Sequence, residues 1–220
     1  MTANRMPRKL AAEGIGSFLL FAVVVGSGIM GEALAGGNDA VALLGNSIAT
    51  GAILYVLIVM LGPVSGAHFN PAVSLVMASR GALNWREAAI YITVQITGGI
   101  VGVWVAHLMF DLPVIQVSDH LRSGPGQWAG EIIATFSLVL TIIGTTRHRP
   151  AAVPASVALA IVAGYWFTSS TSFANPAITI ARSLSDTFAG IAPGDVPEFV
   201  FAQLAGAGLA ALAGHALFDD

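Results

Sequence analysis

The chain contains no cysteine, which excludes disulfides and thiolate metal sites. It is also poor in charge: Asp, Glu, Lys and Arg make up 10% of the 220 residues, against about a quarter in a soluble domain. No polar segment large enough for a soluble domain interrupts it, so one membrane domain over 1–220 is expected. No basic cluster is dense enough for nucleic acid, and the net charge of -3 says little about partners. The histidines His68, His107, His120, His148 and His215 show no metal-ligand helical spacing and no accompanying acidic cluster, so no metal is expected. No nucleophile–base pair and no phosphate loop is present. An enzyme and a bound cofactor are therefore not expected.

What the chain has instead is apolar sequence. Hydrophobic residues reach 55% and the mean hydropathy is +0.79, the composition of a chain solvated by lipid. A spanning helix needs about 20 mainly apolar residues, and six stretches qualify: about 10–34, 41–61, 87–109, 128–146, 152–169 and 197–217. The basic start "MTANRMPRKL" could pass for a signal peptide. The apolar run behind it, Leu10 to Ala35, is too long for that and lacks a clear cleavage site, so it reads as a first span. Two shorter segments, 62–80 and 170–190, are partly apolar and rich in Gly, Pro and Ser at their starts, too short to cross alone.

Six spans put both termini on one side. Arg5, Arg8, Lys9, Arg80, Arg86, Arg147 and Arg149 fall there, and Arg122 and Arg182 opposite, so the termini are expected in the cytoplasm. The chain also repeats itself. Glu13 opens an apolar run as Glu131 does, Asn70 matches Asn175, and Gln95 in "VQITGGIVG" matches Gln203 in "AQLAGAGLA". Each half, about 10–109 and 128–217, holds three spans, an odd number, so the halves must be inverted relative to each other.

The two short segments carry Asn70-Pro71-Ala72 and Asn175-Pro176-Ala177. Asn is a favoured helix cap and Pro suits the first helical position. Each triplet therefore starts a helix, and two helices of about ten residues, about 15 Å each, meeting end to end would compose a seventh span. The loops before the caps, "GPVSGAHF" and "TSSTSFA", cannot face lipid and must line a cavity or be packed in protein. Two helix N-termini and two Asn amides at one point repel cations and offer donors to uncharged polar solutes.

These residues resemble the aquaporin and glycerol-facilitator family, also called the major intrinsic proteins: Glu13, "SGAHFNPAVSL", Gln95, Glu131, "FANPAITIAR" and Gln203, together covering nearly the whole chain. The resemblance implies an all-α membrane protein, a right-handed bundle of six tilted helices with two re-entrant half-helices. It also implies a homotetramer in a lipid bilayer, each subunit with its own pore for small neutral solutes. Gly98, Gly99, Gly102, Ala106, Gly206, Ala210 and Gly214 fit close helix packing in such a bundle. Glu13 and Glu131 would hold the re-entrant loops by buried hydrogen bonds; as helix-end residues near the interface they would do no such thing. His68 would line the pore approach on the cytoplasmic side, or serve loop packing.

The chain departs from the family at one place. Most members carry arginine directly after the second triplet, where this chain has Ile178. The other filter positions fall at Thr50, at Ala163 or Gly164, and at Ser172. A small hydroxyl, a very small residue, a second hydroxyl and an aliphatic imply a wide constriction without its fixed charge. Arg182 lies four residues beyond Ile178, on about the same helix face and one turn, about 6 Å, farther out. It would face the outer vestibule, or pair with Asp186. The segment Thr171–Gly190 is similar to a bacterial subgroup associated with arsenic resistance, which implies a bacterial inner membrane and passage of arsenous acid and small organoarsenicals. A water-selective channel, a secondary transporter and a structural junction protein are the competing readings.

Overall fold

The computed structural model describes residues 6–219; Arg5, counted above with the termini, lies outside them. Eight α-helices follow in order: α1 Met6–Leu34, α2 Asp39–Ser65, α3 Pro71–Ser79, α4 Trp85–Met109, α5 Pro125–His148, α6 Val153–Phe167, α7 Pro176–Arg182 and α8 Val196–Phe218. No strand occurs among the described residues. Six helices are long and apolar enough to cross a membrane; α3 and α7, of nine and seven residues, are the short ones.

Local chemistry sets the helix starts. Asn38, Asn70, Asn84 and Asn175 cap α2, α3, α4 and α7 with side-chain oxygens that accept backbone N–H groups. Proline stands in the first two positions of α3, α5, α6, α7 and α8, where the missing N–H costs no helical bond. One boundary differs from the sequence reading. The second span continues through Pro63 to Ser65 instead of stopping near 61. Only Gly66 to Phe69 are then irregular before the cap. Gly66, at φ 94, ends the helix and donates its N–H to Gly62 O.

The halves pack in matching pairs, α1 against α4 and α5 against α8. In the first pair a methyl on Gly102 would strike Phe18 O, and in the second a methyl on Gly206 would strike Ile132 O. Backbones this close need glycine. The long helices enclose the two short ones, whose N-termini meet in the interior. α3 runs back toward the face bearing the chain termini, where Arg80, its C-cap, bridges Asp219 at 2.7 Å. α7 runs to the opposite face. There the 110–124 connector between halves docks on the 183–195 loop, through Ser118 N to Ser183 O and Ala192 N to His120 O.

Candidate solute pathway

The re-entrant loops hold unusual backbone. Ala67 and Phe69 in the first, and Thr171, Ser172 and Ala174 in the second, all have φ between 48° and 60° without being glycine. Such left-handed residues persist only where their surroundings over-determine them. Two buried carboxylates do this. Glu13, fully buried on α1, accepts the N–H groups of His68 (3.0 Å) and Phe69 (2.8 Å) and the Ser65 hydroxyl (2.6 Å). Glu131, fully buried on α5, accepts the N–H groups of Phe173 and Ala174, each at 2.9 Å. Gln95 donates to Glu13 and to Ser74, and Gln203 donates to Glu131 and to Thr179. Both carboxylates thus lie deep inside, away from the helix-end interface position considered above.

The two asparagines cross over. Asn70 Nδ2 donates to Ala174 O at 2.7 Å, and Asn175 Nδ2 donates to Phe69 O at 2.8 Å. Each Oδ1 meanwhile caps its own helix, at 2.9 Å to Ala72 N and Ala177 N. An amide nitrogen has two hydrogens, so each Asn keeps one beyond the crossed bond. Pro71, Ala72, Pro176 and Ala177 are buried behind the caps.

Both asparagines line a cavity of about 270 Å³ that reaches from Thr146 and Met77 on the termini side to Arg182 on the connector side. One wall is the irregular backbone of 66–69 and 172–174; the other is aliphatic, with Leu20, Val24, Leu54 and Ile58. Thr50, Ser172, Ile178 and His68 line it as well. His68 Nδ1 lies 3.1 Å from Ser74 Oγ.

The fifth-span position differs from both expected residues. Ala163 points out of the bundle, and Gly164 lies against Ser172, whose side chain occupies the space a methyl would need. The residues of α6 that reach the cavity are Ile161 and Tyr165, and the Tyr165 hydroxyl lies 3.2 Å from Thr50 Oγ1. One residue turns a helix by about 100°, so a small misalignment exchanges a lipid-facing side chain for a pore-facing one.

Arg182 is 2% exposed at the end of α7. Its Nε donates to Ala189 O, and its guanidinium stacks 3.3 Å from the Phe173 ring centroid. It does not pair with Asp186, whose carboxylate accepts from Asp119 N. A second guanidinium was missed in the sequence. Arg122, on the connector, is 9% exposed and lies 5.1 Å from the same ring. Its Nε donates to Gly190 O at 2.7 Å, and its backbone N–H donates to Asp195. Burial pulls its pKa down to about 10, still cationic at neutral pH. No local motif marks Arg122; its burial comes from docking between segments distant in sequence. Among the described residues no group of His, Asp or Glu could hold a metal ion.

A helical bundle with two half-helices meeting cap to cap around a continuous cavity defines a membrane channel. The family model described as major intrinsic protein matches residues 1–169, and the chain belongs to that family of passive channels. It is 56% identical over 202 residues to the aquaglyceroporin AqpS of Rhizobium meliloti, covering 92% of this chain and 86% of that one. It is 33% identical over 196 residues to aquaporin NIP2-3 of Zea mays, covering 84% of this chain and 62% of that one. In structure it matches the aquaglyceroporin from Plasmodium falciparum with a TM-score of 0.75 at 19% identity, covering 94% of each chain. That likeness bears on the fold.

Proposed function

We propose that this chain is a wide-filter aquaglyceroporin, passing water, glycerol-like polyols and uncharged arsenous acid down their gradients. The observation that carries the reading is Ile178. It lines the cavity three residues after Asn175, where most of the family has arginine. The nearest guanidinium of that helix, Arg182, is drawn aside onto Phe173. Thr50, Tyr165 and Ser172 complete the constriction with hydroxyls. Asn70 and Asn175 donate to the passing solute, and Glu13 and Glu131 keep the loops in shape. Solute hydroxyls face the polar loop wall and carbon faces the aliphatic wall, an arrangement that suits a polyol better than water alone. The 56% identity to the aquaglyceroporin AqpS supports the glycerol reading, and the Thr171–Gly190 segment supports the arsenous acid reading.

In this reading the two halves form one inverted-repeat domain in the bacterial plasma membrane, both termini cytoplasmic, His68 on the cytoplasmic approach and Arg182 toward the outside. The assembly is a homotetramer with a pore in each subunit. Purified protein in liposomes, challenged with water, glycerol, urea and arsenous acid gradients, tests the whole. Rapid non-saturating flux of all four is expected. Water flux without glycerol uptake would make this a water-selective channel. Saturable uptake coupled to an ion gradient would make it a transporter, and no flux at all would favour a junction role.

A further inference from the structure

On the connector face, next to the central cavity, lies a second cavity of about 330 Å³. Arg122, Arg182, His120, Asn46 and Trp166 line it, with Asp39 as its one carboxylate-bearing residue. Arg182 lines both cavities and so stands at the junction between them.

The two arginines are buried without a direct ion pair. Among the described residues neither guanidinium has a carboxylate within ion-pair distance. Each spends its Nε on a carbonyl of the 189–190 backbone. Arg122 Nη2 adds only a long 3.4 Å contact to Phe188 O. The two Nη groups of Arg182 make no hydrogen bond to a described residue. Both guanidiniums rest against the single Phe173 ring, and both arginines line this one cavity. Two like charges so close raise each other's cost, and burial adds a desolvation penalty. Paired buried charges are the rule in proteins, and here the nearby carboxylates, Glu131, Asp195 and Asp39, form no ion pair with either guanidinium.

We propose that this cavity is a binding site for a small oxyanion or short carboxylate, held between Arg122 and Arg182 at the connector-side mouth. A guanidinium fork matches two oxygens of such an anion. The carbonyls of Gly190 and Ala189 fix the Nε ends, and the Phe173 ring fixes the planes, so the remaining N–H groups are preset toward the cavity. The site concerns binding and is independent of which neutral solute passes; it would place an anion beside the solute route and let it slow uptake from that side.

Calorimetric titration of the purified protein with sodium formate and with sodium phosphate tests this, with sodium chloride at matched ionic strength as the control. Saturable binding of formate or phosphate is expected. Losing one charge-assisted fork should weaken it about tenfold in Arg122→Gln, with Arg86→Gln on the opposite face as the charge control. Arg122→Lys keeps the charge without the fork and serves if the glutamine variant elutes as aggregate. No saturable heat with either anion, or affinity unchanged in the folded Arg122 variants, would overturn the proposal. So would equal loss in Arg86→Gln.

Discussion

In the first re-entrant arm Glu13 accepts from the two residues before Asn70; in the second Glu131 accepts from the two before Asn175. Ser65 braces the first loop through Ala67 N, and Ser170, at the same offset, braces the second through Ser172 N. The carboxylate, serine and crossed-amide bonds that hold the two loops correspond, and the side chains the arms present can be compared position by position. Val73 and Ile178 each stand three residues past their asparagine, and both line the cavity. Met77 and Arg182 each stand seven past, at the two ends of the same cavity. With isoleucine at 178, the middle of the pathway is nearly symmetric: two aliphatic side chains around two amides. The asymmetry of charge lies one turn outward, at Arg182 and its companion Arg122. The difference teaches that two arms can share a scaffold of buried bonds while presenting different side chains at the two ends of the cavity.

The scaffold comparison can be broken first, and most severely. Glu131→Ala orphans the amides of Phe173 and Ala174, and Glu13→Ala those of His68 and Phe69. Each orphaned buried donor costs about 1–3 kcal/mol, so both variants should melt far below the parent in detergent. A normal melting midpoint for one but not the other would end the equivalence of the arms.

A smaller effect sharpens the comparison at the centre. Ile178→Arg should cut glycerol flux in liposomes at least about tenfold, a barrier increase of roughly 1.4 kcal/mol. Val73→Arg should act in the same direction from the other arm. Unchanged glycerol flux in Ile178→Arg would refute the placement of residue 178 in the constriction.

The smallest effect lies at the charged end. Burial, Arg122 and Arg182 hold the pKa of His120 below the usual histidine value of 6.5. A histidine with a lowered folded pKa leaves stability unaffected above its ordinary range and lowers it as pH falls through that range toward the folded value. Acidification should therefore loosen the connector slightly, and His120→Ala should flatten the dependence of the melting midpoint between neutral and mildly acid pH. A parent and variant with identical pH profiles would remove His120 from the charged cluster.

Much of the architecture was legible because its signals are local or recur. Asn-Pro marks a helix start by capping chemistry alone, and both starts occur where the triplets stand. Glu13 matches Glu131 and Gln95 matches Gln203 across the repeat, and the structure adds that in each half the glutamine donates to the glutamate. What failed depended on rotation or on distance. Tyr165 replaces Ala163 or Gly164 at the cavity because apolar α6 carries no polar stripe to fix its rotation. The second span is read from the sequence as ending near 61, yet it runs on through Pro63, because an interior proline is tolerated in a spanning helix. Arg122 enters the sequence reading only as a charge on the side opposite the termini; the docking of the connector onto the 183–195 loop buries it.

The crossed asparagine bonds have a mechanical meaning. Asn70 holds the carbonyl of Ala174 while Asn175 holds that of Phe69, so each arm is bolted through the other. Neither half-helix can retract without breaking its own bond and freeing the carbonyl it holds on the other arm. The waist of this conduit is therefore a fixed orifice with no moving seat. Differences between the two halves of the conduit therefore lie at its ends, where Met77 and Arg182 stand.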